Sequence, residues 1–234
     1  MAFAGGRSAD PVTVLPCAPS PAQLADRPRH TAAVVAVLAG IAFSALMTAV
    51  WLGWPPLIIL DQRVAEWLTS GVSSHPGQLT TLRVITTLGS TTMLASVMTI
   101  TAIVIVARRW WRAAAFLAVA ELAPLLVGPV LKLLMDRARP VVAHVLVAPP
   151  ATLSFPSGHA LGSTVSYGAI LWLCLPLLPQ RRLEVAASTV AALVALVGFS
   201  RVALGVHYVS DVAGGWLPGL AWLAMSALLV TRRR

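Results

Sequence analysis

Six runs of roughly twenty apolar residues, at about 31–54, 81–107, 113–134, 159–178, 185–203 and 210–231, divide the chain, with short arginine clusters between several of them. At 1.5 Å rise per residue, each run as a helix is long enough to cross the ~30 Å hydrocarbon core of a bilayer. Only 11% of the 234 residues are charged and 58% are hydrophobic, whereas an ordinary soluble domain carries about 25% charged residues. Such a chain cannot cover a water-facing surface. That excludes a soluble globular protein, a disordered tail and a disulfide-stapled secreted module. It predicts an all-α membrane protein with six transmembrane helices.

The charges give the orientation. Residues 1–30, with Arg7, Arg27 and Arg29, show no helical period and read as a mobile cytoplasmic tail. That tail, Arg108-Arg109-Trp110-Trp111-Arg112, Arg181-Arg182 and Arg232-Arg233-Arg234 alternate with the spans so that all four fall on one side. The positive-inside rule makes that side cytoplasmic, with both termini there. Residues 31–234 then form one six-helix domain without a repeat or an added soluble domain. The net charge of +9 encodes topology and not a nucleic-acid surface, because the cations are not gathered into a patch between aromatics. Cys17 and Cys174 fall in different compartments, so no mutual disulfide is expected. No apolar stretch long enough for a signal h-region precedes Cys17, so a lipoprotein signal is not expected either.

Six cations oppose this topology: Arg63, Arg83, Lys132, Arg137, Arg139 and Arg201. Two outward loops accompany them. In residues 55–80, Val64, Trp67 and Leu68 share one helical face and Gln62, Arg63 and Glu66 another. This reads either as a short helix over 60–70 lying in the membrane interface or as a solvated connector. The second loop, 141–156, leads straight into the fourth span.

Three clusters lie at the outer ends of the last four spans: Lys132, six residues, Arg139-Pro140; Pro156-Ser157-Gly158-His159; and Ser200-Arg201, five residues, His207, three residues, Asp211. Lys132, Arg139 and Arg201 supply three fixed cations for a phosphate, the guanidinium forks being suited to bidentate contact. Ser157 and Gly158 open a helix, whose free N–H groups favour an anion. His207 and Asp211, four apart, would share a helical face, so that the carboxylate fixes the imidazole tautomer and leaves one nitrogen as nucleophile. His159, on another span, is free to act as general acid. These parts suffice for phosphoryl transfer, which is mostly positioning and charge stabilisation.

The stretches KLLMDRARP, SFPSGHA and SRVALGVHYVSD resemble the three signature motifs of the type 2 phosphatidic acid phosphatase family, itself related to vanadium haloperoxidases and bacterial acid phosphatases. The resemblance covers about residues 55–231 and implies that family's helical core bundle. It implies Lys132, Arg139, Ser157, Gly158 and Arg201 as phosphate-binding residues. His207 would form a phosphohistidine, Asp211 would orient it, and His159 would protonate the leaving group and then activate water. The family uses no metal or other cofactor, and the chain has no HExxH motif and no acidic cluster for Mg²⁺. One departure is Ala138, where many members carry a second proline.

Other residues take plainer readings. Arg63 and Arg83 are expected as interfacial anchors, and His75 and His144 as incidental. Arg137 lies inside the first motif without holding one of its fixed positions. Glu121 lies mid-span, where an acid is costly and faces the bundle interior. It stands eleven residues, or three turns, before Lys132, so it sits protonated or hydrogen-bonded beneath the site or packs against a Ser or Thr of a neighbouring helix. The Gly158/Gly162 and Gly215/Gly219 pairs read as close helix packing, and Pro124, Pro129 and Pro218 as kinks.

The expected activity is metal-independent hydrolysis of a lipid phosphate or diphosphate, with the site on the extracytoplasmic face of the cell membrane. Undecaprenyl or another polyprenyl diphosphate is the favoured substrate, and phosphatidic acid or phosphatidylglycerol phosphate the alternative. The bilayer and the lipid are the expected partners. A transporter or binding protein for lipid phosphates would use the cations but give the two histidines no task. A serine protease built on Ser157 and His207 lacks a GxSG-type turn.

Overall fold

The computed structural model describes residues 29–230. The expected N-terminal tail, Cys17 and the Arg232, Arg233 and Arg234 cluster lie outside the described residues. Within them run nine α-helices: α1 (Arg29–Trp51), α2 (Pro55–Ser73), α3 (Pro76–Thr87), α4 (Thr91–Ala107), α5 (Trp111–Leu122), α6 (Gly128–Met135), α7 (Gly158–Cys174), α8 (Gln180–Ala203) and α9 (Val209–Val230). Six helical stretches are long and apolar enough to cross a membrane: His30–Trp51, Pro76–Ala107, Trp111–Met135, Gly158–Leu177, Gln180–Ala203 and Val209–Val230. The protein is a multi-pass membrane protein.

Helices α7 and α9 form the centre. They pack on each other, α9 also lies along α1, and α7 contacts α8 and α4. Their small residues make this possible. Ala160, Gly162, Ser163 and Thr164 on α7 and Gly214, Gly215 and Gly219 on α9 are all buried, and small residues are what lets backbones approach inside a bilayer. The outer helices instead turn large apolar side chains outward, among them Leu38, Ile41, Ile100, Ile103 and Leu125. On a soluble protein that surface would aggregate; here it meets lipid.

Three spans depart from the sequence expectation. The second starts at Pro76, five residues early, because its polar first turn hides it from an apolar count. It also breaks between α3 and α4, where Ser90 caps the new helix by accepting a hydrogen bond from the Met93 N–H. Tyr167 donates its hydroxyl to the Leu88 carbonyl at the break, at 2.6 Å, satisfying a group that lipid would leave bare. In the third span a π-helical turn at Ala123–Val127, containing Pro124, separates α5 from α6, so the expected kink takes the form of a bulge. The fifth begins at Gln180 because Gln180 to Glu184 add a polar turn to the apolar run. Pro129 falls in the first turn of α6, and Pro218 sits inside α9, which continues through it.

Residues 55–80 are helical over most of their length, so the connector reading fails. The packed face of α2 differs from the expected one. Asp61, Ala65, Thr69 and Val72 are its buried line, while Trp67 is 74% exposed. Val64 and Leu68 do pack partly against the core. A buried Asp in the second turn of the helix outweighs the pull of Trp67, for reasons the site makes plain.

Candidate active site

The polypeptide enters this region where α6 stops. Asp136 takes a left-handed conformation (φ 42°) and its N–H bonds back to Lys132 O, ending the helix in an αL cap. The loop that follows carries Arg137, Arg139 and Ser154 and delivers the chain to Ser157. There the Ser157 side chain accepts from the Ala160 N–H and opens α7. Between α8 and α9, Gly205 (φ 73°) makes the turn that presents His207. A Cβ at Gly205 would lie 2.8 Å from Thr69 Cγ2, so both the conformation and the space require glycine.

One cavity of about 480 Å³ is lined by Lys132, Arg139, Gly158, His159, Arg201 and His207, and runs down past Leu94, Leu125, Gly162 and Ser166 to Glu121. Six of the eight residues singled out from sequence therefore share one space. Ser157 and Asp211 do not line it. Ser157 is buried as the cap of α7, and Asp211 stands behind His207.

The cations are held by neutral oxygens. Lys132 donates to the Leu153 carbonyl. Arg139 donates from Nε to the Thr152 carbonyl (2.8 Å) and from Nη2 to Thr152 Oγ1 (3.0 Å). Arg201 donates from Nη1 to Thr86 Oγ1 (2.8 Å), while its buried Nε has no partner among the described residues. Among the described residues no carboxylate forms an ion pair with any of the three. Burial lowers the Arg139 guanidinium from its ordinary value, and the Asp211 charge partly opposes this. Three cations against one cavity, with a buried N–H left over, form a site short of an anion.

His207 is 2% exposed. Its Nδ1 lies 3.4 Å from Asp211 Oδ2, and its Nε2 lies 3.2 Å from Arg139 Nη1. A guanidinium nitrogen can only donate, so Nε2 offers a lone pair and the proton sits on Nδ1, toward Asp211. Burial pushes the imidazole down to about 4, against the pull of the Asp211 hydrogen bond and charge. The ring is neutral at pH 7, and its unprotonated nitrogen stands beside Arg139 at the cavity. His159 stands across the same space on α7, and no hydrogen bond engages its ring among the described residues.

One expectation needs correction. His207 and Asp211 do not share a helical face, because His207 precedes α9. Asp211 instead lies in the first turn of α9 and bends back, its Oδ2 accepting the Tyr208 N–H at 2.8 Å. This is half of a capping box, and it brings the same oxygen to His207. Gly158, too, has open space where a Cβ would stand, so it faces the cavity and not a helix. Gly162 meets Leu94, and Gly215 and Gly219 meet α7, as close packing requires.

Several residues of the site were not singled out from sequence. Asp61, from α2, is fully buried and accepts from Arg137 Nη2 at 2.8 Å. Arg137 Nη1 reaches Asp211 Oδ1 at 2.6 Å, and its guanidinium lies 4.4 Å from the centre of the Tyr208 ring. Ser154 donates to Asp211 Oδ2. Arg137 inside the first motif and Ser154 at the head of the second were the available signals; nothing in the α2 sequence marks Asp61. Glu121 accepts a 3.1 Å hydrogen bond from Ser166 at the inner end of the cavity. Arg63 is exposed, while exposed Arg83 donates to the Leu146 carbonyl (3.1 Å). His75 bonds only within its own turn, and His144 is exposed. Cys174 is a free thiol. No three His, Cys, Asp or Glu side chains gather to hold a metal ion among the described residues.

Known proteins resemble this chain in sequence and fold. Residues 109–234 match the model of the PAP2 superfamily. Phosphatidylglycerophosphatase B of Bacillus subtilis is 37% identical over 100 residues, covering 41% of this chain and 47% of the relative. Undecaprenyl-diphosphatase of Sulfolobus acidocaldarius is 30% identical over 135 residues, covering 56% and 61%. The matched stretches thus span about half to three-fifths of these relatives. The crystal structure of a transmembrane PAP2-type phosphatidylglycerolphosphate phosphatase from Bacillus subtilis superposes with a TM-score of 0.72 at 26% identity, over 82% of this chain and 93% of that one. With more than half its length matched to the family model, the chain belongs to the PAP2 superfamily.

Proposed function

We propose that the protein is an integral-membrane lipid phosphatase that works through a phosphohistidine. The observation that carries this reading is the set of three cations without carboxylate partners lining one cavity with the unprotonated Nε2 of a buried, neutral histidine, which Arg139 already contacts. A phosphate entering the cavity takes its oxygens to Lys132, Arg139 and Arg201 and to the α7 start at Gly158, which Ser157 caps from behind with its own N–H on the Asp211 carbonyl. His207 Nε2 attacks phosphorus and the bond to the lipid oxygen breaks. His159 gives that oxygen its proton. The resulting imidazolium, still carrying the Nδ1 proton, is held by Asp211. Water then attacks phosphorus, losing a proton to His159, the P–N bond breaks, and phosphate leaves.

A lipid substrate follows from the setting, since a site at the rim of a membrane-spanning bundle meets headgroups. The basic loops Arg108–Arg112 and Arg181-Arg182, at the other end of the spans, support a site on the extracytoplasmic face of the cell membrane. Polyprenyl diphosphate and phosphatidylglycerol phosphate are the leading substrates, and the names of the similar proteins include both classes. A panel of lipid monophosphates and diphosphates, assayed for phosphate release in EDTA, ranks them. The same assay on His207→Ala tests the mechanism: release drops to background, whereas equal release from both proteins refutes a phosphohistidine. A transporter would release none from either.

A further inference from the structure

The buried Asp61–Arg137 pair takes no part in the chemistry above, yet it is bonded to the group that orients His207. Asp61 is fully buried, and a carboxylate so placed is retained only with strong partners. It has three: Arg137, the Ser210 N–H at 3.0 Å, and the Ser210 hydroxyl. Arg137 in turn donates from Nη1 to both Ser210 Oγ and Asp211 Oδ1, each at 2.6 Å. Tyr208 covers the guanidinium and reaches Gln62 of α2 with its hydroxyl, at 3.3 Å. One oxygen of Asp211 is thereby fixed by Arg137. The other is left for His207, Ser154 and the Tyr208 N–H.

We propose that Asp61 and Arg137 are positioning residues: α2 holds Asp211 through them, and so fixes the ring of His207 toward the bound phosphate without touching it. The proposal rests on the phosphohistidine reading. It separates two functions in space. Lys132, Arg139, Arg201 and the start of α7 bind the phosphate; Asp61 and Arg137 act only on the nucleophile. Breaking the pair therefore lowers kcat and leaves phosphate affinity alone.

The charges near His207 predict a second signature. Asp211 on α9 favours the imidazolium, while Arg139 in the loop, Arg201 on α8, Lys132 on α6 and His159 on α7 stand on the cavity side and do not. Arg137 neutralises Asp211 from behind. Its removal frees the carboxylate to hold a proton on His207, so the acid limb of the pH–rate profile moves up. Removing Asp61 does the opposite, since Arg137 then serves Asp211 alone.

The test uses the full-length protein in lipid micelles, with Arg137→Gln, Arg137→Lys, Asp61→Asn and Ser210→Ala. The readouts are kcat, the inhibition constant of inorganic phosphate, the acid limb and the thermal transition. Expected for Arg137→Gln and Asp61→Asn is a fall in kcat of about tenfold or more, with phosphate inhibition unchanged. The acid limb rises in Arg137→Gln and returns in Arg137→Lys. If the charged variants fail to fold, Ser210→Ala decides, because it removes one link without stranding a charge: kcat falls and phosphate inhibition stays. Unchanged kcat in folded variants overturns the proposal. So does a parallel loss of kcat, phosphate inhibition and thermal transition, which marks a structural role only. A parent protein that hydrolyses no lipid phosphate overturns the phosphatase reading itself, and is recognised before any variant is made.

Discussion

Substituting Gly215 by alanine tests how closely the two central helices must approach. A Cβ built there would lie 2.7 Å from the Ser157 carbonyl oxygen, 2.8 Å from Ala160 Cβ and 2.8 Å from the Leu161 nitrogen. Non-bonded carbon contacts settle near 3.5 Å, and two of these three obstacles are backbone. The start of α7 must therefore retreat from α9 by about 0.7 Å. The Ser157 N–H to Asp211 carbonyl hydrogen bond, now 2.9 Å, lies across that gap and stretches. Overpacking of this kind costs about 1–3 kcal/mol. The larger effect falls on the site, because α7 carries Gly158 and His159 while α9 carries Asp211. Catalytic groups tolerate about 0.5 Å of misplacement, and 1 Å costs about a hundredfold. Gly215→Ala should thus lower kcat for lipid-phosphate hydrolysis by about 10- to 100-fold and lower the thermal transition. Gly40→Ala on α1 is the control, since nothing lies within 4 Å of its Cβ. It should leave the rate alone and add up to about 1 kcal/mol through helix propensity. Initial rates of phosphate release, with circular dichroism melts on the same samples, read both effects. Parent-like kcat and melting in Gly215→Ala would refute the reasoning.

Burial holds His207 near 4, below the free value of about 6.5, so its ring is neutral above about pH 4. The kcat/KM profile should lose activity as pH falls through about 4, and an acid limb near 6.5 in the parent would contradict the assignment of His207 as a buried nucleophile. Arg139→Lys removes the fork that binds Thr152, and hydrogen bonds to charged groups are worth about 1.5–3 kcal/mol. Steady-state kinetics should show a loss of about 10- to 100-fold in kcat/KM. Glu121→Gln keeps an acceptor for Ser166, so phosphate release should stay within about twofold of the parent; a larger loss would give the acid a part in the reaction.

The gathering of Lys132, Arg139, His159, Arg201 and His207 was legible in the sequence for a topological reason. Each lies at the end of a span, alternate ends share a membrane face, and fixed spacing then places them together. The supports were not legible. Asp61 meets Arg137 across 76 positions and Ser210 across 149, and no local pattern encodes such pairings. Periodicity pointed instead to Trp67, whose apolar bulk is satisfied by lipid as well as by protein. The same ambiguity hides the interruptions of the second and third spans, since a count of apolar residues runs across Leu88 and Ala123 without registering where the backbone changes course. Spacing also gave the right partner for His207 by the wrong route: the histidine and Asp211 meet through a helix start, not along a helix side.

That helix start has a consequence for how the molecule fails. Asp211 secures the first turn of α9 with the same oxygen that faces His207 Nδ1. Fraying of a single turn would therefore free the ring while the transmembrane bundle remained assembled. Loss of the site and unfolding of the bundle would then be separable events, the first requiring far less of the structure to be lost than the second.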